Sequence, residues 1–314
     1  MTNTIVVDWG TSHLRAYLCR ELADGQLQLI DKKLALGVVK CQNKFEEELF
    51  NCIGSWLDVY GNLSITLSGQ IGSSIGWKET PYIACPVIPS KVAKSCLNFT
   101  VRGGNISIVP GVSCKLGNEN HDVMRSEELQ VLGWLSIDKS HRHGLHLICL
   151  PGTHTKWVLV NNGTIMLFKT AMTGELYDLL NHQSVLIQKP SCAFDEDSFI
   201  EGAKYTLESE FGNFSHGVFS VRSKQLFGEL SEKNASSYLS GVLIGSDVRA
   251  ALHASEWDIE SLLKVNIIGA PQLSDCFSKT LSLQGVKSTC FNVEETTLLG
   301  FSSINQLNQP EKVS

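Results

Sequence analysis

Long hydrophobic runs are missing from this chain. No apolar stretch in its 314 residues approaches the ~20 needed to span a bilayer. The opening Met1-Thr-Asn-Thr-Ile-Val-Val-Asp8 meets a carboxylate before any basic segment, so a signal peptide is not expected. A basic excess is missing too: 26 Lys and Arg stand against 32 Asp and Glu, a formal charge of −6. That balance disfavours a nucleic-acid or anionic-membrane binder and leaves room for one local cationic pocket. The ten cysteines include no C-x-x-C pair. Their scatter reads as small buried hydrophobes kept reduced, not as a disulfide frame or a zinc site. Gly-x-Gly-x-x-Gly and the Walker lysine loop are also absent.

What is present is enough apolar material for a large core, with 43% hydrophobic and 18% charged residues. The length suggests roughly two domains, and the polar Asp138–His143 stretch is the expected boundary, giving 1–138 and 139–314. Thr4–Val7, Leu14–Arg20 and Gln26–Ile30 read as three strands joined by turns at Gly10–Ser12 and Asp24-Gly25. Phe45, Leu49, Ile53, Trp56 and Leu57 then recur at helical spacing. Leu63–Leu67 and Ile106–Val109 are further strands, and the proline-rich stretch between them reads as an insertion or substrate loop. A helix is expected over Asp122–Leu135, and later ones over 174–182, 198–211, 235–252, 259–263, from Ser274 and over 294–307, with a strand at Val265–Ile268.

The second half restarts like the first. Ile5-Val-Val-Asp-Trp-Gly-Thr-Ser12 aligns with Leu147-Ile-Cys-Leu-Pro-Gly-Thr-His154, and each copy runs on through a strand, a glycine turn and another strand. The expectation is a duplicated fold. A Gly-Thr turn between strands offers backbone N–H groups and a hydroxyl where no Cβ blocks approach, which suits a phosphate. One such turn is most simply a hairpin, whereas a facing pair could hold the β- and γ-phosphates of a nucleotide.

Several residues carry two readings. Asp8, at the end of an apolar strand, either caps its turn or holds Mg²⁺, directly or through water. Arg15 and Lys156 are solvated strand residues or neutralise phosphate and substrate charge, and Thr11 and Ser12 close a hairpin or bond phosphate oxygens. Asp122-Val-Met-Arg125-Ser-Glu127-Glu128 is a charged helix start or, in sharper form, a general base with Arg125 and Glu127 gripping substrate. Gly241-x-x-x-Gly245 marks close helix packing first and a nucleotide approach second. Gly269-Ala270-Pro271 is a helix entry or an adenosine contact.

Taken in order, a series of motifs resembles the 2-dehydro-3-deoxygalactonokinase family. They are Val6-Val-Asp8-Trp-Gly-Thr-Ser12-x-x-Arg15, Ser68-Gly-Gln-Ile-Gly-Ser73, Val109-Pro-Gly111, Asp122-Val-Met-Arg125-Ser-Glu-Glu128, Leu150-Pro-Gly-Thr-His-Thr-Lys-Trp157, Met172-Thr-Gly-Glu-Leu176 and Leu239-Ser-Gly241. The resemblance implies an α/β fold of two duplicated ribonuclease H-like domains, of actin/hexokinase type, around a nucleotide cleft. It implies ATP, with Mg²⁺, as donor to the 6-hydroxyl of 2-dehydro-3-deoxy-D-galactonate, a sugar acid. Site residues carried over are Gly10, Thr11, Ser12, Gly152, Thr153, His154 and Lys156 for phosphate, and Gly241, Gly269 and Ala270 for adenosine. Arg15, Gly69, Gln70, Gly72, Arg125 and Glu127 fall to the substrate and Asp8 to catalysis; the family's general base is not carried over, and Asp122 takes that place, catalytic on the reading of its own charged segment. Gln70 and Ser126 replace the family's usual Met and Gly on the sugar-acid side. A kinase of the same fold for another acceptor therefore stands as the alternative, beside a non-catalytic sensor, with a homodimer left open.

Overall fold

The computed structural model describes residues 2–117, 119–208, 214–257 and 264–308. These group into two units. The first takes the described residues within Met1–Leu145, Val160–Leu167 and Val293–Ser314; the second takes those within His146–Leu159 and Phe168–Asn292.

The first unit opens with β1 (Asn3–Trp9), β2 (His13–Glu21) and β3 (Leu27–Leu36), followed by α1 (Phe45–Tyr60) and β4 (Ser64–Gly69). Next come β5 (Ile83–Ala84), α2 (Pro89–Lys94), β6 (Leu97–Val101), β7 (Gly104–Ile108), β8 (Val112–Lys115) and β9 (His121–Met124), then α3 (Glu127–Ile137). A six-stranded sheet has the order β3-β2-β1-β4-β7-β6. Within it β1, β4 and β7 run parallel, while β2, β3 and β6 pair antiparallel with their neighbours. Side chains alternate across a strand, so Ile5, Val7 and Trp9 join Leu14, Ile65, Leu67 and Ile108 on one face, where α1 supplies Phe45, Leu49, Ile53 and Trp56. Thr4, Val6 and Asp8 consequently belong to the other face. A three-stranded sheet, β5-β8-β9, stands apart from it.

The region expected to be helical from Asp122 is divided instead. His121–Met124 pairs antiparallel with Val112–Lys115 as β9, and helix starts only at Glu127 after Ser126 takes φ 94°. Strand pairing across to β8 outweighs the local charge pattern, which could not reveal the partner. The expected loop between the early strands likewise holds β5, α2 and β6.

The second unit contains β10 (Leu145–Leu150), β11 (Thr155–Asn161), β12 (Thr164–Ala171), α4 (Thr173–Gln183), α5 (Glu196–Glu208), α6 (Phe214–Leu226) and α7 (Ala235–Leu252). It continues with β13 (Val265–Gly269), α8 (Pro271–Leu283) and β14 (Ser288–Asn292), and α9 (Val293–Asn308) then returns to the first unit. The sheet order is β12-β11-β10-β13-β14, with β10, β13 and β14 parallel. The tip of the β11–β12 hairpin, Val160–Leu167, is grouped with the first unit. β14 was not foreseen, and the expected helix over 259–263 lies outside the described residues. A core of Tyr238, Leu239, Val242 and Leu243 from α7 meets Leu186, Ile187, Val218 and Val221. No helix among the described residues is long and apolar enough to cross a membrane.

In the first unit α3 packs against α9 at backbone contact, because a Cβ on Gly133 would lie 1.8 Å from the Thr296 carbonyl oxygen. That atom cannot swing aside as a side-chain tip could. Gly133→Ala is therefore expected to destabilise the protein by at least about 2 kcal/mol through overpacking, read as a lower denaturant midpoint with the slope unchanged. A midpoint equal to wild type would show that the two helices can move apart freely.

Candidate active site

Two places gather the residues that the sequence singled out, one in each unit. In the first, Asp8, next to last in β1, lies directly opposite Arg15 on β2. Arg15 Nη1 donates to Asp8 Oδ2 at 3.1 Å, and Ser126 Oγ donates to Asp8 Oδ1 at 2.9 Å. The Asp8 side chain is 15% exposed and that of Arg15 43%. The Gly10–Ser12 turn beside it is held by its carbonyls: those of Gly10, Thr11 and Ser12 accept from the amides of Val38, Val39 and Gly37. Thr11 and Ser12 themselves are exposed. Their amides have no partner among the described residues, and that arrangement presents N–H groups to an anion.

Arg125 does something other than grip a ligand with its fork. It is 4% exposed, Nη1 donates to Thr80 Oγ1 at 2.5 Å and Nη2 to the Thr80 carbonyl at 2.9 Å. Its guanidinium lies over the Tyr82 ring, 4.5 Å from the centroid. It thus ties residues 80–82 to the start of α3, and Gly72 packs against the same Nη1. Both terminal nitrogens already serve Thr80, so Arg15 is the exposed guanidinium of this corner. Glu127 accepts from the Arg125 amide. Glu128 is fully buried, and desolvation, followed by the neighbouring Glu127 charge, pushes its carboxyl well above the usual carboxylate range. Asp122 lies on β9, partly exposed, with Oδ1 accepting from the Val123 amide. Gly69 and Gln70 end β4 and enter a short 3₁₀ turn through Gly72.

In the second unit the Gly152–His154 turn borders a cavity of about 620 Å³, a size typical of small-molecule sites. The start of α4 lies against this turn: the Glu175 amide donates to the Thr153 carbonyl, and a Cβ on Gly174 would meet the Gly152 carbonyl at 2.3 Å. The residue before α4, Met172, supplies no side-chain cap, so the positive end of the helix is met by the backbone of this turn beside the cavity. Behind it, Asp247 of α7 is 7% exposed. Its Oδ1 accepts from Trp157 Nε1 at 2.9 Å and its Oδ2 from Thr173 Oγ1 at 2.6 Å. Burial, against these hydrogen bonds, raises the Asp247 carboxyl to about 6.

The other expected residues distribute unevenly. Gly152, Thr153 and Ala270 line the cavity. His154 is exposed and pairs with Glu175. Lys156 is 6% exposed and reaches Thr170 Oγ1 at 2.7 Å, which directs it along the sheet face rather than into the turn. Gly269 is buried at the end of β13 against Pro151 and Ser274. Gly241 faces α5, where its Cβ would stand 2.0 Å from the Phe199 carbonyl. It packs helices, while Ser236, Ser237 and Ser240 of the same helix reach the cavity. Asp247 escaped sequence reading; its only signal was a lone carboxylate in an otherwise small and apolar helix.

Comparison with known proteins places this geometry. The sequence model of the 2-keto-3-deoxy-galactonokinase family matches residues 8–304. A 2-dehydro-3-deoxygalactonokinase of Escherichia coli (strain K12) is 33% identical over 246 residues, 78% of this chain and 78% of the relative. A Rhizobium meliloti (strain 1021) protein assigned to that activity is 29% identical over 301 residues, covering 95% and 94%. The crystal structure of a Sinorhizobium meliloti protein assigned to it superposes with a TM-score of 0.85 at 28% identity, over 98% of this chain and 99% of that one. Component A of the Acidaminococcus fermentans (R)-2-hydroxyglutaryl-CoA dehydratase, at 12% identity and a TM-score of 0.52, shares the fold alone. With a mixed α/β fold, this chain belongs to the 2-keto-3-deoxy-galactonokinase family, phosphotransferases with an alcohol group as acceptor.

Proposed function

We propose that the chain transfers the γ-phosphoryl group of ATP to the 6-hydroxyl of 2-dehydro-3-deoxy-D-galactonate, with nucleotide binding in the second unit and acceptor chemistry in the first. The observation that carries the reading is the uncapped start of α4 pressed against the Gly152–Thr153 turn beside a cavity of about 620 Å³. A duplicated ribonuclease H-like plan is part of the proposal, supported by the same order over five strands of each sheet: hairpin strands third, second, first, then two parallel strands, with β6 added antiparallel at the edge of the first.

The residues fit a Mg-nucleotide. Among the described residues no group of three or more acidic, His or Cys side chains gathers as a metal cage, and Mg²⁺ on a nucleotide typically needs only one or two carboxylates besides the phosphates. Asp8 is such a carboxylate. When bound, Mg²⁺ neutralises charge on the transferring phosphoryl group. In the transfer, the acceptor oxygen bonds to γ-phosphorus, the bond to the β–γ bridging oxygen breaks, and ADP leaves. Asp122 takes the hydroxyl proton, supported by its partial exposure on the strand leading into the Arg125–Ser126 corner. Arg15, the exposed guanidinium, meets the substrate carboxylate. In the first unit the amides of Thr11 and Ser12, and in the second the first turn of α4, each offer N–H groups suited to phosphate oxygens. The free thiols among the described residues suit the reducing cytoplasm in which such a kinase would work.

A coupled ADP-release assay tests this with Mg-ATP and a panel of acceptors: the galactonate compound, its gluconate epimer, hexoses, amino sugars and pantothenate. Selective turnover of the galactonate compound is the expected result, and turnover of another acceptor alone would overturn the substrate. Asp122→Asn is expected to lower kcat by roughly 10²–10⁴-fold, the usual worth of a general base. Unchanged turnover would take that role from Asp122.

A further inference from the structure

Ser126 occupies a backbone conformation that favours glycine, φ 94° and ψ −38°. It is fixed there from both sides. Its carbonyl accepts from the amides of Leu129 and Gln130, and the preceding Arg125 is locked onto Thr80. Serine just before a helix ordinarily turns its hydroxyl to cap the first turn, but Ser126 makes no such bond. Its Oγ donates instead to Asp8 Oδ1, 118 residues away in sequence. Across from it Gly69, at φ 99°, leaves the room: a Cβ there would stand 3.1 Å from Ser126 Oγ and 2.6 Å from the Trp9 carbonyl.

We propose that Ser126 is a positioning residue, kept in a strained conformation because its hydroxyl fixes the rotation of the Asp8 carboxylate. Asp8 has two oxygens and two side-chain donors, Ser126 and Arg15. Arg15 is long and its side chain 43% exposed, so alone it leaves the carboxylate free to turn with it. Ser126 is short, and its backbone is held on both sides. A glycine at 126 would relax the backbone and abolish the short, fixed donor that Asp8 has among the described residues; the chain carries the residue that is worse for the fold and better for the carboxylate. The inference rests on the reading of Asp8 as the metal-side carboxylate.

Three substitutions separate positioning from architecture. Ser126→Gly is expected to melt at or above the wild-type temperature, yet to lose at least fivefold in kcat and to need several times more Mg²⁺ for half-maximal rate, with the sugar-acid KM within twofold. Ser126→Ala keeps the strain and loses the donor, so both melting temperature and kcat fall. Ser126→Thr keeps the donor at greater strain, so it should melt lower and turn over within twofold of wild type. Wild-type kcat and Mg²⁺ dependence in Ser126→Gly would overturn the proposal, as would equal kinetic losses in the Gly and Thr variants. If Asp8→Asn itself turns over normally, the reading of Asp8 has failed, a result distinguishable from any Ser126 outcome.

Discussion

Asp8→Asn is expected to leave the protein folded and lower kcat by roughly 10²–10³-fold, the scale on which preorganised electrostatic groups act. The substitution conserves shape. Ser126 Oγ and Arg15 Nη1 can still donate to the single carboxamide oxygen or rearrange around it, and the Arg15 pair, exposed on one side, contributes little to stability. What disappears is the negative charge at the end of β1, beside a turn whose amides are otherwise arranged for anions. Asp8 is the carboxylate that would hold Mg²⁺, so the substitution would remove that hold. The loss should therefore fall on kcat and on the Mg²⁺ dependence, with the melting temperature little changed. Steady-state kinetics at several Mg²⁺ concentrations read this directly. A variant with normal kcat would leave Asp8 as a turn residue and nothing more.

How far these features were legible in the sequence depended on whether their causes were local. The β1–β2–β3 meander could be read because Asp24-Gly25 and the alternating strands carry their own signals, and α1 because its apolar residues keep one helical face. The two Gly-Thr turns were legible as a pair because strand, turn and strand repeat around them. β9 was not, since its four residues are strand only by pairing with β8. Glycine at 241 had a local reading, close helix packing, that the structure shows directly. Arg125 read as part of a charged helix start or as a substrate grip, because charge alone says nothing of burial; Thr80 and Tyr82, which hold it, lie more than forty positions upstream. The strain at Ser126 and the burial of Asp247 come from tertiary contacts and have no signature in neighbouring residues.

Asp247 carries the other large expected effect. A single carboxylate here joins two elements that border the cavity: β11, through Trp157, and the first turn of α4, through Thr173. Among the described residues it has no Lys or Arg partner within ion-pair distance, so neutral donors, Thr173 and Trp157 foremost, offset its burial. Asp247→Ala would orphan both donors, at about 1–3 kcal/mol each. It would also release the start of α4 from the turn it orients, raising the KM for ATP more than tenfold while the sugar-acid KM holds. Trp157→Phe removes one donor without touching the cavity lining, so a rise in ATP KM there would come from lost orientation and not from a lost ligand contact.

The same carboxyl gives a pH signature whose direction follows from burial. Its folded-state value is about 6 against an ordinary 3.8, so between those values the folded protein keeps a proton that the unfolded chain releases. Stability from this group is therefore present at low pH and is lost as pH rises from about 4 to about 6, by roughly 3 kcal/mol in total. Asp247→Asn keeps the shape and cannot ionise. Other carboxylates, such as Asp31 and Asp195, are held below their ordinary values and slope the other way, but they are common to both proteins. Melting curves of wild type and Asp247→Asn across pH 4–7 should thus diverge steadily, with wild type losing ground to the variant as pH rises. A constant difference would mean that Asp247 ionises as it does in the unfolded chain and that water reaches it behind the turn.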